Sequence, residues 1–141
     1  MAALTTADTA FRVAREAMDR ERYPPQWGQS NAGVGATLLF RVQAGGDVAD
    51  LAEAERLLRE SLPLLDARRQ AGLIVAAHRL LGHIEVLRAE RNRDAAAAAR
   101  AEAMLREVLN RMSPGSASRA EVERLLARAA AARDAPVAQP S

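Results

Sequence analysis

The stretch 52-AEAERLLRESL-62 returns 47 residues later as 99-ARAEAMLREVL-109, with seven of eleven positions identical. The agreement spreads outward from there. Gly35 aligns with Gly82, Arg41 with Arg88 and Asp47 with Asp94, and 27–62 set over 74–109 gives eleven identities in thirty-six positions. A fixed period of this size marks stacked supersecondary units, because each unit leaves apolar surface that its neighbour covers. Each copy spans two apolar-periodic stretches, so the unit is a pair of helices.

The rest of the chain fits helices placed around those copies. Leu4, Ala7, Phe11, Ala14 and Met18 recur at helical spacing, and Tyr23-Pro24-Pro25 ends that segment, since proline disfavours helical geometry in the residue before it. The first helix is therefore expected over 4–22 as a cap, with 15-REAM-18 matching 59-RESL-62 as a lone second-helix copy. Repeat 1 is expected over 26–67, divided at 44-AGGD-47 by two glycines and a capping Asp, with Pro63 kinking or shortening its second helix. Repeat 2 is expected over 70–112, divided at 92-NRD-94. The turn 113-SPGSAS-118 precedes a closing helix over 118–133, where Ser118 and Glu121 form a capping box. The tail 135–141 has no periodicity. The fold class is all-α, a single helical-repeat domain over 1–134.

Composition narrows the function classes. The 141 residues contain no Cys, which excludes disulfides and thiolate metal sites. Twenty basic residues, all Arg, face eighteen Asp and Glu, for a net charge of +2. The signs alternate, as in Arg12/Glu16, which is the pattern of solvated helix faces. No basic block interleaved with aromatics points to nucleic acid, and no apolar run is long enough for a membrane span. A cytoplasmic location is the expectation.

The repeat also resembles a known family. Asn31-x-x-Val34-Gly35-x-x-Leu38 followed by Ala54-x-x-x-Leu58 is similar to the tetratricopeptide pattern W-x-x-L-G-x-x-Y, then A-x-x-x-F. The second copy offers His78-x-x-Leu81-Gly82, then Ala101-x-x-x-Leu105, with Pro114 near the family's closing Pro. The stretch 20-RERYPPQWGQSNAGVG-35 further resembles the linkers of a bacterial long-repeat subgroup, roughly "RERYPxxWAxTQNNLG". It departs from them at Ala32-Gly33, where the subgroup has an Asn pair, and Ile74 stands where the second copy would carry Trp. The resemblance covers about 7–112. It implies a short solenoid of antiparallel helix hairpins that binds another protein and carries out no chemistry.

In the family's register the first helices of each repeat line the groove. That assigns Gln29, Ala32, Ala36 and Leu39 from repeat 1, and Ala76, Arg79, His83 and Val86 from repeat 2, as the protein-binding residues. Such a groove suits a peptide or helix with acidic and apolar residues, while pairing with a second copy of the chain would use the exposed ends of the stack. The physical sense of the pattern stands apart from the family: small residues at Gly35, Ala54, Gly82 and Ala101 let helix backbones approach, and Val34, Leu58, Leu81 and Leu105 fill the space between.

Other chemistries read less well. The stretch 28-GQSNAGVGATLLF-40 has the look of a nucleotide loop, but it has Ala36 at the lysine position, and Leu38 replaces the third glycine of a dinucleotide loop. No cofactor is implied. His78-Arg79-Leu80-Leu81-Gly82 resembles the H-x-L-K-G motif of histidine phosphotransfer domains, which would make His78 the phosphoacceptor. Leu81 takes the place of that family's Lys. His78 and His83 lie about 140° apart on a helix and make no metal pair. Glu55/Glu102 and Glu60/Glu107, beside Arg59 and Arg106, read as solvated faces rather than a catalytic acid–base set. Trp27 is expected to wedge between the end of the first helix and the start of the second.

Overall fold

A computed structural model describes residues 6–10, 12 and 20–135. Among these the chain is helical throughout, without a strand: α1 is Pro24–Gln43, α2 Asp50–Ser61, α3 Ala71–Asn92, α4 Ala95–Arg111 and α5 Arg119–Asp134, with a 3₁₀ turn at Leu62–Leu64 after α2. Residues 6–10 and 12 are also helical. The 15-REAM-18 match, Phe11, Ala14 and Met18, Glu16 as a partner for Arg12, and most of the tail lie outside the described residues. No described helix is long and apolar enough to cross a membrane.

Local chemistry accounts for the ends of these elements. Two prolines open α1, where the missing N–H costs nothing and the fixed φ is already helical. The helix ends in a Schellman pair, with Gly46 N–H donating to Arg41 O and Gly45 N–H to Val42 O, and Gly45 adopts φ +103°. Asp47 is not the N-cap of α2. Its carboxylate accepts the Ala49 N–H at 2.9 Å within the turn, and Ala49 occupies the cap without a side-chain bond. Asp50 and Glu53 in the first turn of α2 complement the helix dipole instead. Pro63 shortens the helix as its geometry requires: α2 stops at Ser61 and tightens into the 3₁₀ turn.

Asp94 does cap α4, accepting the Ala97 N–H at 3.0 Å. Ser118 corrects its expectation. It sits at the N-cap of α5 in a helical conformation (φ −81°, ψ −8°), and its side chain makes no capping bond. A capping side chain reaches the helix N–H groups from an extended backbone, which this residue does not have.

The chain divides into two compact units, 1–80 and 81–141. In the first, α1 packs along α2, burying Val34, Leu38, Leu51, Leu57 and Leu58. Asp8 ties the N-terminal helical residues to this hairpin, accepting from Arg12 at 3.0 Å and pairing with Arg41 at 3.3 Å. Arg12 also reaches Glu53 at 3.2 Å. In the second unit α4 packs along α5 around Leu105, Val108, Val122, Leu125 and Ala129.

The two copies share one packing device. A methyl placed on Gly35 would meet Leu58 Cγ at 3.0 Å and Ala54 O at 3.2 Å, and one on Gly82 would meet Leu105 Cδ2 at 2.7 Å. Glycine at these positions lets α1 approach α2, and α3 approach α4, within the reach of a leucine side chain.

Candidate functional site

The face of α1 turned away from α2 remains open. Gln26, Gln29, Phe40 and Gln43 are exposed and Gly33 and Ala36 half-buried, at steps of three and four that place all six on one stripe. The middle of the stripe meets the start of α3 in an apolar concavity of about 210 Å³, lined by Gln29, Ala32, Gly33, Ala36, Leu73, Ala77 and Leu80. Glycine and alanine on one wall leave the room that larger side chains would occupy, while leucines form the other wall.

Gln29 also borders a second, polar concavity of about 170 Å³, with Pro25, Gln26, Asp66, Arg69 and Gln70. The two concavities adjoin at Gln29, an apolar one at the middle of the stripe and a polar one at its end. That end is held by a compact turn. Asp66 N–H donates to Gln70 Oε1 at 2.8 Å, and the Asp66 carboxylate accepts the N–H groups of Arg68 and Arg69 at 2.9 and 3.0 Å. Gln70 N–H donates to Asp66 O at 2.7 Å, and its carboxamide reaches Pro25 O at 3.4 Å. The backbone N–H of Arg69, then that of Arg68, draws the Asp66 carboxyl below its ordinary value.

Of the residues assigned from the sequence, Gln29, Ala32 and Ala36 are brought together in the groove. Arg79 is half-buried on α3. Leu39 and Val86 are completely buried, and His83 is 4% exposed, so these three offer almost no surface to a partner. On the α1 stripe it is Phe40, one position after Leu39, that is open, at 40% exposure. Phe40 and Gly33 were not singled out by the family register. A strict three-and-four count from Gln29 would have reached both.

His78 is half-buried on α3, and Leu81, at the position of the phosphotransfer lysine, is buried at 2% exposure and carries no charge. Trp27 is half-buried, with the Arg20 guanidinium 4.9 Å over its ring. Among the described residues no group of three His, Asp or Glu could hold a metal ion.

Glu102 corrects the solvated-face expectation. It is 4% exposed, and Arg106 and, from α5, Arg133 pair with its carboxylate at 3.2 and 2.7 Å. Its counterpart in the first copy, Glu55, is half-buried, with Arg59 approaching at 3.9 Å. Burial of a carboxylate is tolerated here because two guanidinium groups replace its lost hydration.

Comparison of the chain with protein-family models, with curated proteins and with solved structures finds no match.

Proposed function

We propose that the chain is a tetratricopeptide-like stack of helix hairpins, a non-catalytic scaffold that binds a peptide or helix of another protein along the open stripe of α1. The observation carrying this reading is the pair of concavities that adjoin at Gln29, one bordered by Gln26 and the other by Gly33, Ala36 and the Leu73–Ala77–Leu80 wall. Its parts suit a polypeptide. Small residues admit a backbone, the leucine wall takes one apolar side chain, and the carboxamides of Gln26 and Gln29 offer both donors and acceptors to peptide groups. Phe40 adds an exposed apolar anchor at the far end of the stripe. The matching glycine–leucine contacts of the two copies support the repeat assignment. No comparable observation favours phosphotransfer through His78.

The test is site-specific photo-crosslinking in the native source. A photoreactive side chain at Ala36 is expected to capture a partner, the same group at exposed Arg124 is not, and Ala36→Trp abolishes capture by a probe at Gln29. Equal capture at Ala36 and Arg124 would overturn the reading.

A further inference from the structure

The second unit holds a concavity of about 450 Å³ that the groove on α1 does not use. Its floor is alanine, from Ala89 near the end of α3 and Ala131, Ala132 and Ala135 at the end of α5. Its rim carries three charges. Two of them cancel: Arg128 bridges the helices to Glu90 through Nη2 at 2.7 Å and Nε at 3.0 Å. The third, Arg93, is exposed and takes part in no hydrogen bond or ion pair among the described residues. The mouth is therefore cationic over an apolar floor.

The backbone of Arg93 is a second, separate observation. It adopts φ +51°, and no other non-glycine described residue has a positive φ. It follows the end of α3 in a Schellman turn, where the Asp94 N–H donates to Ala89 O at 3.1 Å. The first hairpin places Gly45 at the equivalent point, with φ +103°. A left-handed conformation is free for glycine and costly for an L-residue with a long side chain. Strain of this kind at the rim of a concavity points from geometry to function.

We propose that this concavity binds a segment of a partner protein that bears an aspartate or glutamate next to a small aliphatic residue. The planar fork of Arg93 pairs with the carboxylate, and the aliphatic side chain covers the alanine floor. Glu90 does not repel the acid, because Arg128 already neutralises it. The exposure of Glu90, Arg93, Ala131 and Ala135 makes this an open face, which receives a chain segment rather than enclosing a small molecule. The site stands independently of the groove on α1.

Selection of a random peptide library on the full-length chain tests the proposal, with Arg93→Gly as the key variant. Glycine keeps the turn and relieves its strain, so the thermal midpoint is expected to rise by about 3 °C. Selected peptides are expected to carry an acid beside Ala, Val or Leu, to shift the amide resonances of Ala131 and Ala132, and to bind Arg93→Gly at least tenfold more weakly. Peptides without an acid, binding to Arg93→Gly within twofold of wild type, or a selection yielding no binder that the variant loses would each overturn the proposal. Peptides that shift only Gln29 and Ala36 would count for the groove and against this site.

Discussion

Gly82 and Leu105 are in contact so close that a single added methyl would lie 2.7 Å from Leu105 Cδ2 and 2.8 Å from its Cγ. Gly35 and Leu58, each 47 residues earlier, repeat the relationship at 3.0 Å. Two helices in each copy are thus fitted together by the absence of one side chain and the shape of another.

Substitution at this contact should separate packing from helix propensity. Gly82→Ala gains propensity but forces Leu105 to move, for a net loss of about 1 kcal/mol in denaturant unfolding. Gly72, exposed at the start of α3 with nothing within 4 Å of an added methyl, should respond oppositely, Gly72→Ala stabilising by about 0.5 kcal/mol. In a double-mutant cycle, Gly82→Ala and Leu105→Ala should be clearly non-additive, since the second change removes the obstacle met by the first. Additive losses would mean the contact is not the source of the penalty.

The two N-cap residues of the second unit should differ in consequence. Asp94→Ala removes a bond to the Ala97 N–H and is expected to cost about 1 kcal/mol. Ser118→Ala removes no capping bond and should change stability by less than about 0.5 kcal/mol. Chemical denaturation of the two variants side by side measures both.

Glu102 latches α5 to α4 through Arg133. Loss of the latch should act locally. In Arg133→Ala, amide hydrogen exchange is expected to quicken in the last turn of α5 while the amides around Leu105 keep their protection. Glu102→Gln, which keeps the shape but not the charge, should cost about 1 kcal/mol. Unchanged exchange at the end of α5 would show that packing by Val122 and Leu125 suffices to hold it.

Acid should loosen the polar end of the groove. Asp66 titrates below its ordinary value of 3.8 because its charged form accepts the backbone N–H groups of Arg69 and Arg68. A depressed carboxyl stabilises the fold above the unfolded value, and that contribution is lost as pH falls through the folded value. The Asp66 side-chain resonance should therefore show a midpoint below 3.8, and amide exchange at Arg68 and Arg69, corrected for intrinsic rates, should quicken on passing it. Asp66→Asn should remove the pH dependence at those two amides.

Much of this protein was legible in its residues, for a physical reason. Apolar periodicity, paired prolines and glycines act over a few residues, so they define each helix near where it forms. The recurrence of Gly35, Leu58, Gly82 and Leu105 even named the contacting positions within each hairpin. Tertiary structure decided what a helix face meets. Successive residues point about 100° apart on a helix, so one position separates buried Leu39 from exposed Phe40. Likewise Glu55 and Glu102 share a repeat position, but only Glu102 lies beneath Arg133 of α5, thirty-one residues along the chain. Arg93 is the same kind of case. Its charge was visible in the sequence, but its place above an alanine floor arises only when α3 and α5 come together.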